Sequence, residues 1–149
     1  MYEWADKNKT TPKTSAPSIE TAMNVMRPYI DEGREIICFS ISSEMSTSIN
    51  VIRMAAEELD AVDKVTVIDS RNLSTGIGLL VVEAAVMAAD GKSREEIKAG
   101  IDELIPKVRA SFVVDTLVYL YRGGRCNAVS ALIGGALALH PMIVAVSYT

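Results

Sequence analysis

Residues 35–70 read EIICFSISSEMSTSINVIRMAAEELDAVDKVTVIDS and contain the pattern that decides the fold. The opening apolar run, residues 35–42, shows no polar alternation before Ser40, which is typical of a strand covered on both faces. A helix is predicted next, ending near Asp60, because one apolar stripe recurs at helical spacing: Met45, Ile49, Ile52, Ala56 and Leu59. A second apolar strand, residues 64–70, follows this helix. The stretch therefore predicts two parallel strands joined by a right-handed helical crossover.

The sequence on both sides continues this alternation of helices and strands. Residues 18–33 predict a helix that is capped by Ser18 and ended by Gly33. Residues 74–91 predict a helix that is apolar nearly all round, so we expect it to be deeply buried. A capping box at Ser93 and Glu96 begins the next predicted helix. The remaining predicted elements are a strand (111–116), a brief helix ending at a turn (122–124), a small-residue helix (127–138) and a strand (141–148). The whole pattern predicts an α/β fold, with a mostly parallel sheet and helices on both faces.

The composition is that of an ordinary globular protein and argues against several classes of partner. Hydrophobic residues make up 49% of the 149 residues and charged residues 23%, and the net charge of -4 offers no basic surface to nucleic acid. Cys38 and Cys126 have no C-x-x-C spacing and there is one histidine, so neither a metal site nor a disulfide framework is indicated. Residues 1–18 lack the apolar core of a secretory signal. A cytoplasmic location is expected.

Residues 128–148 raise the question of a membrane segment because they are almost uncharged. Ser130, the glycine pair at residues 134–135, His140 and Pro141 interrupt this run, and the proline is expected to break a single spanning helix. A buried helix followed by a buried strand explains the same pattern, so stable membrane insertion is not expected.

Six hydroxyl side chains crowd the eleven residues 40–50, between the first strand and its helix. They lie where the carboxyl end of a parallel strand meets a helix N-terminus, which is where open α/β sheets bind ligands and where backbone N–H groups favour anions. This placement suggests a site for a carboxylate or a phosphate. The alternative is that Ser42 or Ser43 merely caps the helix, which would explain one or two of the six.

Two further segments carry groups suited to the same chemistry. Thr14 and Ser15 form a hydroxyl pair in a loop. Arg125 follows two glycines, and its permanently charged guanidinium can donate two parallel hydrogen bonds to a carboxylate or phosphate. Read alone, each also fits a simple turn or a helix end.

Catalytic motifs are weak by comparison. Gly76 and Gly78 follow a strand like a dinucleotide fingerprint, but Val81 stands where the third small residue belongs. No G-x-S-x-G elbow accompanies the single histidine, His140, and the Walker A pattern is absent. An enzyme that binds a small molecule or nucleotide at the loop after Asp69 and Ser70 remains the alternative function.

Four segments in the same order and at similar spacings resemble the DegV family: TSAPS (14–18), SISSEMS (40–46), VTVIDS (65–70) and YLYRGGR (119–125). The resemblance implies a bacterial cytoplasmic protein, without catalytic residues or cofactor, that binds one long-chain fatty acid in an apolar tunnel. Matched by motif, Thr14, Ser15 and Ser46 look like hydroxyls that bind the carboxylate, and Arg125 looks like the supporting cation. Some family members present the fatty acid to an ATP-binding fatty acid kinase subunit for phospholipid synthesis, so such a partner is implied here.

The sequence also departs from the family pattern. Ser46, Thr47, Ser48 and Ile49 replace the usual S-G-T-Y, and His140 replaces the usual lysine before proline. The family's opening strand is expected upstream of Met1 and most of its second domain after Thr149. We therefore expect residues 1–17 to be a linker or loop carrying TSAPS, residues 18–110 an α/β lipid-binding domain, and residues 111–149 the start of a second, incomplete α/β domain. A shortened chain that has lost lipid binding is a further alternative.

Overall fold

The computed structural model describes residues 1–126 and 142–144. Its helices and strands, in chain order, are α1 (Tyr2–Lys7), α2 (Ile19–Asp31), β1 (Ile36–Ser40), α3 (Ser48–Glu58), β2 (Val65–Asp69), α4 (Thr75–Ala89), α5 (Arg94–Leu104), β3 (Ser111–Val113), α6 (Val118–Arg122) and β4 (Met142–Val144). A short 3-10 turn, Ile105–Lys107, follows α5. This order confirms the predicted α/β fold class.

The chain divides into two compact units. We call Ala16–Ala110 together with Ala145–Thr149 the large unit, and Met1–Ser15 together with Ser111–Val144 the small unit. The expected linker at residues 1–17 overlaps both units, because the division falls between Ser15 and Ala16.

The large unit is built around the predicted strand–helix–strand unit. β1 and β2 run parallel in register from Ile36 opposite Val65 to Ser40 opposite Asp69. One core cluster packs α2 and α3 against one face of these strands, through Met26, Ala55 and Ala56. A second cluster packs α4 and α5 against the other face, through residues that include Ile68, Leu80 and Ile101. Helices thus cover both faces of the parallel pair, as the sequence predicts.

Side-chain caps fix the starts of two helices in the large unit. The Ser18 hydroxyl accepts a hydrogen bond from the Thr21 amide at 3.1 Å and begins α2. At α5 the Ser93 hydroxyl accepts from the Glu96 amide while the Glu96 carboxylate accepts from the Ser93 amide, at 3.2 and 2.8 Å. Both caps satisfy amides that have no partner within the helix, and both were predicted.

The burial expected for α4 is wrong. Only Gly76, Leu80 and Ala84 of this helix are buried, while Leu79 and Val82 are each 62% exposed. An apolar side chain is buried only where a neighbouring element covers it, and α4 meets α5 and β1 along one side. The sequence correctly predicts an apolar helix, but it does not reveal how much of that helix neighbouring elements cover.

The small unit contains an antiparallel strand pair and two short helices. β3 pairs with β4 through Ser111 opposite Val144, Phe112 opposite Ile143 and Val113 opposite Met142. Residues 2–7 were expected to be loop and instead form α1. Contacts with α6 account for this helix: the Tyr2 and Tyr119 rings lie 4.9 Å apart, and Asp6 accepts hydrogen bonds from the Tyr119 hydroxyl and the Arg122 guanidinium at 2.8 and 3.1 Å. Those hydrogen bonds also lower the pKa of Asp6.

Several expectations concern residues beyond the described ranges. The small-residue helix at 127–138, His140, Pro141 and most of the final predicted strand lie outside residues 1–126 and 142–144. Among the helices of the described part, none has the length and hydropathy to span a bilayer. The same part of the chain holds no cluster of three His, Cys, Asp or Glu side chains suited to a metal ion.

Candidate functional site

The serine-rich loop connects the carboxyl end of β1 to the start of α3. The Ser42 carbonyl accepts hydrogen bonds from the amides of Met45 and Ser46, at 2.9 and 3.2 Å, and these bonds fold residues 42–46 into a tight turn. α3 begins at Ser48, three residues later than the predicted stripe from Met45 suggests. The alternative that Ser42 or Ser43 caps the helix is therefore wrong. The N-cap of α3 is Thr47, which makes no side-chain cap hydrogen bond, and the neighbouring Ser46 hydroxyl accepts from the Ser48 amide at 3.2 Å.

Buried hydroxyls of this region bond within the protein. Ser40 and Ser42 are 2% and 5% exposed. The Ser40 hydroxyl donates to the Ile41 carbonyl, and the Ser42 hydroxyl accepts from the Glu44 amide. The Ser70 hydroxyl, at the end of β2, donates to the Ser40 carbonyl at 2.6 Å. These three hydroxyls bond to backbone groups where the strands end, so the serines are not all directed at a ligand.

Ser46 retains the ability to donate to a ligand. Its hydroxyl oxygen lies 2.8 Å from the Ser48 hydroxyl oxygen and accepts from the Ser48 amide. A hydroxyl has one donor and two acceptor positions, so Ser46 accepts both bonds when the Ser48 hydroxyl is the donor. Its own O–H is then available. Ser46 is half-buried, and this partial shielding strengthens a charge-assisted hydrogen bond to an anion.

Asp69 ties the loops after the two strands together, and the sequence reasoning assigned it no such role. Its carboxylate accepts from the Ser43 amide at 3.3 Å and from the Arg71 amide at 2.9 Å. These are donors at the sheet edge where an anion was expected, and the protein's own carboxylate occupies them. The available signal was an Asp at the end of an apolar strand; its position opposite Ser40 is seen only in the structure.

Asn72 is a second residue that sequence reasoning missed. It is fully buried, its carbonyl accepts from the Ser42 amide at 2.9 Å, and its side-chain amide donates to the Ser70 carbonyl at 3.2 Å. A Cβ added at Gly76 would lie 2.5 Å from the Asn72 side-chain oxygen, whereas one at Gly78 would meet nothing within 4 Å. Close packing against Asn72 therefore explains Gly76, the first glycine of the apparent dinucleotide fingerprint.

The other predicted site residues belong to the small unit. Thr14 and Ser15 are exposed in a segment without regular secondary structure. Arg125 is exposed too, and its guanidinium donates to the Gly123 carbonyl within the same turn. Ser46 lies in the large unit. The assignment of Thr14, Ser15, Ser46 and Arg125 to one carboxylate stays a prediction.

Apolar cavities flank β1 in the large unit. One, of about 390 Å³, is lined by Ile37 and Phe39 together with residues of α4 and α5. The other, of about 370 Å³, is lined by Cys38 and Phe39 together with residues of α2 and α3. Burial raises the pKa of the Cys38 thiol, which keeps it protonated and apolar at neutral pH.

The described elements form an α/β fold in which the hydroxyl-rich ends of two parallel strands lie at one edge of the sheet. A family model described as "Uncharacterised protein, DegV family" matches residues 1–147. The chain belongs to the DegV family, as the four sequence segments predict.

Curated relatives carry the same family description. A DegV domain-containing protein of Clostridium acetobutylicum is 39% identical over 140 residues, which are 91% of this chain and 48% of that protein. One from Caldanaerobacter subterraneus is 34% identical over 143 residues, 96% of this chain and 50% of the relative. The chain thus spans about half the length of these relatives.

Solved structures with the same fold include proteins described as binding fatty acids. A structure described as the fatty acid binding of a DegV family protein from Thermus thermophilus matches with a TM-score of 0.79 at 32% identity, over 91% of this chain and 48% of that one. A stearic acid-binding protein from Eubacterium ventriosum matches with a TM-score of 0.82 at 31% identity, over 98% and 51%.

Proposed function

We propose that this chain forms part of a binding site for one long-chain fatty acid and acts as a lipid-binding protein, not as an enzyme. The observation that carries the proposal is its similarity, at 31–32% identity, to two solved proteins described as binding fatty acids. In this proposal Thr14, Ser15, Ser46 and Arg125 hold the carboxylate, and apolar side chains enclose the acyl chain.

The energetics of fatty acid binding explain why such a site needs both hydrogen-bond donors for the carboxylate and an apolar enclosure for the acyl chain. Burial of the acyl chain contributes about 0.8 kcal/mol per CH₂ group. The carboxylate loses its water at the same time, and this costs several kcal/mol unless donors replace the lost hydrogen bonds. The Ser46 hydroxyl, whose donor position is available when Ser48 donates in their shared hydrogen bond, supports this role. Arg125 would add a guanidinium that stays charged at any physiological pH.

We further propose that the bound fatty acid is presented to a separate ATP-binding fatty acid kinase subunit in the cytoplasm, as the family resemblance implies. The sequence contains no Walker A pattern that would let this chain bind ATP in the usual way. A partner subunit would then supply the nucleotide, and the resulting acyl phosphate would serve phospholipid synthesis.

Native mass spectrometry of the purified chain, followed by organic extraction, tests the ligand. We expect a one-to-one adduct with the mass of a long-chain fatty acid such as palmitic or stearic acid. A chain without any adduct, which also fails to take up added palmitic acid, would contradict the proposal for these 149 residues.

A titration of palmitic acid against variants tests the residues. Ser46→Ala should bind about tenfold more weakly, because one charge-assisted hydrogen bond is lost. Ser46→Thr keeps the hydroxyl and should bind nearly as well as the wild type. Ser43→Ala is the matched control, because Ser43 is exposed and binds Asp69 through its backbone amide. Equal affinity for all four proteins would remove Ser46 from the site.

One observation favours the alternative of a small-molecule or nucleotide-binding enzyme. A cavity of about 500 Å³ beside the loop after β2 is lined by three cations, Arg53, Arg71 and Lys98. Asp69 and Asp102 line it as well, and Lys98 is paired with Asp102. These carboxylates offset most of the positive charge, so we rank this function second. Copurified nucleotide in a lipid-free preparation would reverse the order.

A further inference from the structure

A contact between α1 and α6 joins the two chain segments of the small unit. The Asp6 carboxylate of α1 accepts hydrogen bonds from the Tyr119 hydroxyl and the Arg122 guanidinium of α6, at 2.8 and 3.1 Å. Asp6 and Tyr119 are 113 residues apart in the sequence. The Arg122 guanidinium also lies over the Tyr119 ring, 5.6 Å from its centroid, so the two donors support each other.

The first of these helices leads into the hydroxyl pair of the predicted carboxylate site. Thr14 and Ser15 follow α1 in the chain, and both belong to the small unit. The Thr10 amide donates to the Ala5 carbonyl at 3.0 Å, which ties the start of the connecting segment back to the helix. Ala5 itself is buried, at 1% exposure. The position of α1 therefore determines where the segment that carries the two hydroxyls begins.

The end of α6 fixes the backbone of Arg125 in a similar way. The Arg125 amide donates to the Leu120 carbonyl at 2.9 Å, and the Gly124 amide donates to the Tyr121 carbonyl at 2.9 Å. Gly124 has a φ of +76°, in the left-handed region. This pair of hydrogen bonds with a left-handed glycine is a common helix ending. A shift of α6 would therefore carry Arg125 with it.

The contact made by Asp6 is better suited to alignment than to stability. The side chains of Asp6 and Arg122 are 56% and 27% exposed, so water screens their ion pair and its contribution to folding is small. The geometry is restrictive all the same, because one carboxylate accepts from two donors that lie one helical turn apart. The hydrogen bonds from Tyr119 and Arg122 lower the pKa of Asp6, which keeps it ionised at neutral pH.

We propose that Asp6 is a positioning residue for the carboxylate site: it holds α1 against α6 and so keeps Thr14 and Arg125 in a fixed relation. The inference rests on the proposed function, in which both of these residues bind the fatty acid carboxylate. A hydrogen bond weakens steeply when its donor turns away from the acceptor. Loss of the alignment therefore weakens binding of the head group and leaves burial of the acyl chain unchanged.

Two ligands of equal chain length test this role. Palmitic acid carries the carboxylate, whereas hexadecanol has the same length and a neutral head group, so the ratio of their affinities measures the head-group contribution. Asp6→Ala should bind palmitic acid about fivefold more weakly and hexadecanol as before, because charge-assisted hydrogen bonds are weakened. Equal losses for both ligands would show that Asp6 only supports the fold, and would overturn its positioning role.

Two further variants control this comparison. Glu3→Ala removes the same charge from an exposed position on the same helix and should leave both affinities unchanged. Tyr119→Phe removes one of the two hydrogen bonds to Asp6 and keeps the ring beside Tyr2, so it makes the same test in a chain that disturbs the fold less. It should lower the affinity ratio about twofold. A ratio equal to that of the wild type would contradict the proposal.

A double-mutant cycle with Arg125→Ala separates this inference from the proposed function. Arg125→Ala should weaken palmitic acid binding about tenfold, and adding Asp6→Ala should then have little further effect. Additive losses would overturn the positioning role. If Arg125→Ala alone left the affinity unchanged, the proposed carboxylate site would be wrong, and the role of Asp6 with it. If Arg125→Ala weakened binding while Asp6→Ala behaved like Glu3→Ala, the proposed function would stand and only the role of Asp6 would fall.

Discussion

The two strands of the parallel sheet differ in burial, although in the described part of the chain each pairs only with the other. Val65 and Ile68 of β2 are 7% and 2% exposed and Val67 is half-buried, whereas all four apolar residues of β1 are half-buried. Both strands are short and apolar, and both have helices on their two faces. The difference lies at their outer edges, where charged side chains line the groove beside β2 and mostly apolar ones line the cavities beside β1. Burial therefore depends on the neighbour a strand has as well as on its own sequence.

The largest effect we expect from this difference comes from the same substitution in the two strands. Ile68→Ala should lower the free energy of unfolding by about 2–5 kcal/mol, because it leaves a cavity in a closed core. Ile37→Ala should cost about half as much, because Ile37 packs against the same core cluster but is only partly buried. Urea unfolding of both variants gives the comparison. Equal costs would show that the core beside β1 is as tightly closed as that beside β2.

The same contrast explains what could be predicted of the fold. The strand–helix–strand unit and the caps at Ser18 and Ser93 depend on local patterns, and the structure confirms them. The exposure of α4 could not be predicted, because its apolar sequence does not reveal whether a neighbour covers it. The start of α3 was misplaced because Met45 fits the helical stripe, although the turn held by the Ser42 carbonyl keeps it outside the helix.

A smaller effect is expected from two glycines near the start of α4. Gly76→Ala should destabilise the protein by about 1–3 kcal/mol, since the new methyl group meets the buried Asn72 side chain at 2.5 Å. Gly78→Ala should instead stabilise it by about 0.5–1 kcal/mol, because alanine favours a helix interior and space is open there. Thermal unfolding separates the two signs. If Gly76→Ala left the melting temperature unchanged, the loop that contains Asn72 would be able to move aside at little cost. The tight packing around β2 would then not extend to its carboxyl end.

The candidate site was less predictable than the fold. The hydroxyl cluster lies at the strand ends, as predicted, but Ser40 and Ser42 bond internally and Asp69 accepts hydrogen bonds from two of the amides. Those bonds depend on the register that places Ser40 opposite Asp69, which the sequence does not give. The roles of Thr14, Ser15, Ser46 and Arg125 rest on the family resemblance and stay predictions.

The smallest expected effect concerns the charges beside the two edges. Lys98 pairs with Asp102 in the groove along β2, and Lys92 pairs with Glu96 near the open edge of β1, each four residues apart and about half-exposed. Lys98→Ala should lower the free energy of unfolding by no more than about 0.5 kcal/mol, because exposed pairs are screened by water and their side chains lose entropy.

Lys92→Ala serves as the matched control and should change stability no more than Lys98→Ala does. Both effects should vanish in molar salt, which screens exposed pairs. Analytical ultracentrifugation should distinguish the two variants even where their stabilities agree. Lys98→Ala removes a charge beside the edge of β2 and should increase self-association. Lys92→Ala leaves the edge of β1 unchanged and should not. A salt-resistant loss of stability in Lys98→Ala, without added association, would show that this charge holds the fold together and does not guard the edge of β2.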